Sequence, residues 1–154
     1  MAAGKPVIGK VRKFIDAVDD VKVVAAIRDA ERNTTGQIRV HLSGRSTKDI
    51  EKAARERFTK LNMAATPYRN AVLIYVQPRS RRFFIAGDVA LDEHAGTEFW
   101  PSAAGALSAD LKEGRYTEGL VGAVHRAGEL LAERFPKVEN GPARGGLSDE
   151  ITED

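Results

Sequence analysis

Apolar residues recur along the chain with two periods, and the changes between them mark the elements. Val21, Val24 and Ile27 form a partial stripe at helical spacing, which predicts a helix from about Asp20 to Arg32 with Asp19 or Asp20 as N-cap. Phe14, Ile15 and Val18 extend the apolar material upstream, as a further turn or an anchoring segment. Asn33, Thr34, Thr35 and Gly36 stop the helix. Ile38, Val40 and Leu42 then alternate with Gln37, Arg39 and His41, the pattern of a half-buried strand.

Thr47 is placed to cap a second helix, whose Ile50, Ala53, Ala54, Phe58 and Leu61 share a face opposite Glu51, Lys52, Arg55, Glu56 and Lys60. Ala71 to Val76 is apolar without alternation, so it predicts a central strand covered by helices on both faces. The short break at Gln77 to Arg81 predicts a hairpin into Arg82 to Ala86, with Phe83 and Ile85 on one side and Phe84 on the other. Asp88 to Trp100 is irregular or briefly helical, and Pro101 begins a helix reaching Lys112 and ended by Gly114. Thr117 is placed to cap a long final helix carrying Leu120, Val124, Ala127, Leu131 and Phe135, which Pro136 stops.

A helix joins the first two strands and a short turn joins the next two. The economical sheet is therefore mixed, one parallel pair plus an antiparallel neighbour, with room for one additional short strand. At 154 residues the material suffices for one domain, here residues 14–139, preceded by a basic segment 1–13 and followed by an acidic segment 140–154 expected to be mobile, with Leu147 and Ile151 as docking points. Residues 1–13 carry four basic and no acidic groups, and residues 145–154 carry four acidic and no basic ones; the body is balanced, which argues against a nucleic-acid partner. No apolar run approaches membrane-spanning length, and the basic start lacks the apolar core of a signal peptide, so the expected location is the cytoplasm, with no membrane span. Zero cysteines exclude disulfides, thiol chemistry and thiolate metal sites.

Beyond periodicity, the order of local motifs carries a resemblance. Ala30-Glu31-Arg32-Asn33-Thr34-Thr35-Gly36-Gln37-Ile38-Arg39-Val40 is followed by Phe58, Leu61, Asn62 and Met63, by Arg69-Asn70-Ala71-Val72-Leu73-Ile74, by Arg82-Phe83-Phe84-Ile85-Ala86-Gly87-Asp88, by Phe99-Trp100, and by Phe135-Pro136. In that order these resemble the TPM-domain family, which includes thylakoid-lumen phosphatase-like proteins, and Leu147 to Ile151 resembles the ending of its short, soluble members. The resemblance implies an α/β fold, a three-layer α/β/α sandwich with a small mixed β-sheet. It also implies divalent-cation binding in some members and phosphatase activity in a few. The chain departs from the pattern at Gln37, where many relatives resemble Gly-Glu-Ile, at Ala71 after Asn70, and at Val89-Ala90 after Asp88. The first change puts a neutral amide where a carboxylate would ligate a hard cation.

Candidate chemistry centres on Asp88, Asp92 and Glu93, converging with Glu31. Oxygen-rich sets suit Ca²⁺ or Mg²⁺, and a bound cation polarises a phosphoryl oxygen or activates water. The competing reading makes Asp88 a turn residue, Asp92 a helix cap, Glu93 a first-turn acid and Glu31 a surface charge. Arg79, Arg81 and Arg82 form an anion-binding candidate, against a role as solvated charge that discourages edge pairing. His94 is the histidine best placed for metal or acid–base work, and His41 and His125 belong to no compact ligand set. No residue is assigned as catalytic, and no organic cofactor motif is present: Ser43 lacks a nucleophile elbow, and Gly36, Gly44 and Gly87 form neither a phosphate loop nor a dinucleotide fingerprint. Two functional readings follow, a divalent-cation-binding or protein-interaction module, and a metal-assisted phosphomonoesterase.

Overall fold

The computed structural model describes residues 18–94, 99–138 and 147–154, with backbone only for 92–94 and 99–102. The basic segment 1–13, together with Phe14 and Ile15, lies outside the described residues. In chain order the elements are α1 (Asp20–Glu31), β1 (Gln37–Leu42), α2 (Ile50–Lys60), β2 (Ala71–Gln77), β3 (Arg82–Gly87), α3 (Val89–His94), α4 (Phe99–Lys112), α5 (Tyr116–Arg134) and β4 (Thr152–Glu153).

The sheet runs β3-β2-β1-β4. β1 and β2 pair parallel from Gln37↔Ala71 to Leu42↔Val76, with α2 as the crossover, and β2 and β3 pair antiparallel from Val72↔Gly87 to Gln77↔Arg82. β4 is the additional short strand, parallel to β1 through His41↔Thr152 and Leu42↔Glu153.

Burial explains the apolar run of β2. Val72, Ile74 and Val76 enter a core shared with Ile38, Val40 and Leu42 of β1 and with residues of α1, α4 and α5, whereas Ala71, Leu73 and Tyr75 enter a second core with Ile50, Ala53, Ala54 and Phe58 of α2. The result is helices, sheet and helix in three layers. Phe83 and Ile85 face the first core and Phe84 the second, as the alternation predicts.

Elsewhere the structure departs from the periodicity. β1 is not half-buried: Gln37 and His41 on its polar face are buried too, where Leu147 and Asp154 bond to them. Asp19 caps α1 as expected, accepting from the Lys22 N–H. The α2 cap is Asp49 instead of Thr47, accepting from the Lys52 N–H, and Thr47 is instead bonded to the Gln77 carboxamide. Thr117 does not cap α5; its hydroxyl accepts the Asp19 N–H at 2.9 Å and so ties the starts of α5 and α1 together. Both caps fail for one reason: a short polar side chain finds the nearest orphan donor, and tertiary packing chooses which donor that is.

Candidate functional site

Asp88 follows the last residue of β3, and its N–H prolongs the ladder to the Ala71 carbonyl at 2.9 Å. The strand thereby delivers the carboxylate to the end of the sheet where β1 and β2 begin. Asp88 is 5% exposed. Its oxygens accept Arg69 Nε at 2.7 Å and Arg69 Nη2 at 2.9 Å, a two-pronged pair, and Oδ1 also accepts the Val89 N–H at 2.7 Å. Arg69 is held at φ 52, a left-handed conformation that costs a non-glycine residue about 1–2 kcal/mol. Its backbone carbonyl accepts the Ala90 N–H at 3.2 Å. The strained backbone and the side-chain fork therefore bind the same turn from two sides. The hydrogen bonds and negative charge of Asp88 hold the Arg69 guanidinium still more firmly in its charged form.

A second guanidinium stands close by. Arg55 of α2 donates to the Gly87 carbonyl at 3.3 Å and lies 5.7 Å from the centre of the Phe84 ring. Adjacent to Arg69, Asn70 is fully buried; its Nδ2 donates to the Thr35 hydroxyl at 3.1 Å, and its Oδ1 has no hydrogen-bond partner among the described residues.

Glu31 is buried at the same end of the sheet but serves a different strand: its Oε2 accepts the Ile38 N–H at 2.8 Å and clamps the end of α1 to the start of β1. β2 lies between β1 and β3, so the backbones of Ile38 and Asp88 are roughly 10 Å apart by strand spacing. Asp92, Glu93 and His94 lie on the α3 backbone, and their side chains are outside the described residues. Among the described residues no three His, Asp or Glu side chains gather as a metal-holding group. Among the described side chains the donors are already engaged: Asp88 turns its lone pairs to Arg69 and Val89 and Glu31 turns one oxygen to a backbone amide, while Asn70 Oδ1 is an acceptor without a described partner.

The hairpin arginines separate. Arg82 donates to the carbonyls of Thr47 at 2.7 Å and Lys48 at 3.3 Å, holding the approach to α2, whereas Arg79 and Arg81 lie exposed in the β2–β3 turn.

Sequence reasoning missed one buried polar group, His41. Its ring is fully buried, stacked on Tyr75 with centres 5.7 Å apart. Nδ1 lies 2.7 Å from the Thr152 hydroxyl and Nε2 lies 3.1 Å from Asp154 Oδ1. A carboxylate only accepts, so Nε2 carries a proton, and in the neutral ring Nδ1 accepts from Thr152. Burial lowers the His41 pKa below 6.5, against the opposing hydrogen bond and charge of Asp154. Asp154 in turn is also bonded to Arg57 of α2. Burial raises its pKa, but bonds from Ser43 and His41, with the nearby positive charge, outweigh that and leave it below 3.8. The one signal available beforehand was the pair of apolar residues Leu147 and Ile151, which do pack against the second and first cores respectively.

The fold and these sites define a small three-layer α/β domain without a metal-holding cluster among its described residues. Residues 11–130 match the TPM domain model, and the chain belongs to the TPM domain family. It is similar to the BA42 protein of the psychrophilic bacterium Bizionia argentinensis, known from an NMR structure: 36% of residues are identical, 88% of this chain and 92% of that one are covered, and the TM-score is 0.80. The curated proteins contain no match. Among the described residues, no helix is long and apolar enough to cross a membrane.

Proposed function

We propose that this TPM domain is a binding module, not a phosphatase, and that Arg69 is the resident cation of its Asp88 site. The observation that carries this reading is the two-pronged Arg69–Asp88 pair. A metal-assisted phosphatase needs a cation with an open coordination position beside the substrate. Here the carboxylate best placed to hold one is neutralised by a guanidinium that cannot lose its proton. Arg55, bonded one residue away to the Gly87 carbonyl, is itself paired with Glu51 at 3.7 Å.

One observation favours a divalent-cation reading as well. Asn70 Oδ1 is a buried acceptor without a donor among the described residues, adjacent in sequence to Arg69. If Arg69 swings out, which its half-exposed side chain permits, Asp88 would be freed as a carboxylate ligand for Ca²⁺ or Mg²⁺. Such a cation would then supply phosphoryl polarisation in the phosphatase alternative.

Calorimetric titration with Ca²⁺ and Mg²⁺, paired with p-nitrophenyl phosphate hydrolysis, separates the two. For the native chain the expected result is no saturable cation binding and no metal-dependent turnover, with cation binding appearing in Arg69→Gln and vanishing in the Arg69→Gln/Asp88→Ala double variant. Saturable binding by the native chain that is lost in Asp88→Ala, together with metal-dependent phosphate release, would establish the phosphatase instead.

A further inference from the structure

Residues 147–154 lie along the outer edge of β1, and the two sides of that contact are unequal. On the receiving side, Leu42, Ser43 and the His41 ring are buried. On the arriving side no residue of 147–154 is classed as buried, and regular pairing is limited to His41↔Thr152 and Leu42↔Glu153, against six pairs between β1 and β2. A two-residue strand is the least cooperative element of the sheet and the first to open.

The receiving side nonetheless recognises what sits on it. The main chain is read by the Leu42 carbonyl, which accepts the Asp154 N–H at 3.2 Å, and by the Gly44 N–H, which donates to the Asp154 carbonyl at 3.1 Å. His41 reads two side chains at once, a hydroxyl at Thr152 and a carboxylate at Asp154, because alternate residues of a strand share a face. Arg57 grips the second oxygen of Asp154, and Arg28 of α1 donates to Asp149 at 3.3 Å. The docked segment carries four acidic and no basic residues, and two of the four, Asp149 and Asp154, meet arginines of the receiving side.

A backbone edge that supplies ladder bonds, together with a buried reader of alternate side chains, is the architecture of peptide capture by strand addition. We infer that the β1 edge is a peptide-binding groove for an extended acidic segment with a hydroxyl residue two positions before an aspartate, and that residues 147–154 occupy it as a displaceable internal ligand. The partner is a protein presenting that pattern in trans. The inference rests on the interaction-module reading only in requiring a partner. Its groove reaches the far end of β1 from Asp88, and a peptide titration reports on it without any metal.

The internal segment excludes a competitor through its effective concentration, in the millimolar range for a short tether. The test therefore weakens the segment in the full-length chain. A fluorescent, acetylated and amidated peptide of residues 147–154 is titrated into the native chain and into the Thr152→Ala/Asp154→Ala double variant. Anisotropy should show the peptide binding the double variant at least about tenfold more tightly than the native chain. The same peptide with Thr152→Ala and Asp154→Ala should bind neither. Adding Arg57→Ala to the double variant should weaken capture again, with an unchanged circular dichroism spectrum as control for folding. Equal or absent peptide binding by the native and weakened chains would overturn the inference. So would a native chain that instead dimerises with concentration by exchanging its own segment, a second copy then being the occupant.

Discussion

Thr34 sits in the turn between α1 and β1, where its hydroxyl is shared by several backbone groups. Oγ1 accepts the Gly36 N–H at 3.0 Å and donates between the carbonyls of Leu131, at 3.0 Å, and Phe135. A threonine in a turn is an ordinary occurrence, but one that closes the end of a helix nearly a hundred residues later is a tertiary device. Gly36 beside it is needed for space, since a Cβ there would lie 2.7 Å from a Leu131 methyl. Thr34→Val keeps the shape and strands buried polar groups, so a loss of about 1–3 kcal/mol is expected in urea unfolding followed by circular dichroism, with Thr34→Ser near native. The run Asn33-Thr34-Thr35-Gly36 was legible as a helix stop and as part of a family signature. Its partners were not, because nothing local in the sequence specifies which distant carbonyls the turn will meet. Arg69 is the same kind of case: Asp88 stood out as a turn carboxylate, but its partner lies nineteen positions earlier, in a backbone conformation that an arginine does not advertise.

Between elements, α1 and α5 approach closely at one glycine. A Cβ built on Gly128 would lie 2.6 Å from the Ala30 Cβ and 3.3 Å from its Cα, so the two helices touch almost backbone to backbone. Gly128→Ala raises helix propensity, but it must push the helices apart. The contact term wins, because the obstruction includes main-chain atoms that cannot rotate away. A net destabilisation of about 1–3 kcal/mol is expected in denaturant titration, and Gly122→Ala, where the nearest atom is 3.6 Å away at the end of an arginine, serves as the neutral or stabilising control. The helices themselves were readable from the 3.6-residue period, as was the uninterrupted β2. What the period could not say is that a glycine within a helix marks the point of contact. Nor could it say that the polar face of β1 would be covered: Gln37 and His41 look solvent-facing in an alternating strand and are buried where residues 147–154 meet them.

For the molecule as a whole, the burial of His41 makes stability depend on pH. Its pKa is lowered in the folded chain by burial, against the hydrogen bond and charge of Asp154, so the unfolded state binds more protons as pH falls. The stabilisation is complete above 6.5 and is lost progressively as pH drops below that value toward the lower folded pKa. Asp154, also lowered when folded, adds a second loss only in the more acidic range below 3.8. Urea unfolding followed by circular dichroism should accordingly show global stability falling as pH drops below 6.5. His41→Gln should abolish the first phase and leave the acidic one. An unchanged profile in His41→Gln would remove His41 as the titrating group.

By itself the sequence determined the number and order of the main elements, the mixed strand sense, the cysteine-free chemistry and the family, because these follow from local periodicity, loop length and short motifs whose physics is contained within a few residues. Tertiary structure alone decided that Asp88 answers to Arg69, that Glu31 clamps a strand, and that His41 becomes the buried reader of an acidic segment. Those outcomes depend on which distant donor a packed sheet and its helices bring within about 3 Å. Hydrogen bonding and burial act over that distance, and position along the chain does not encode it.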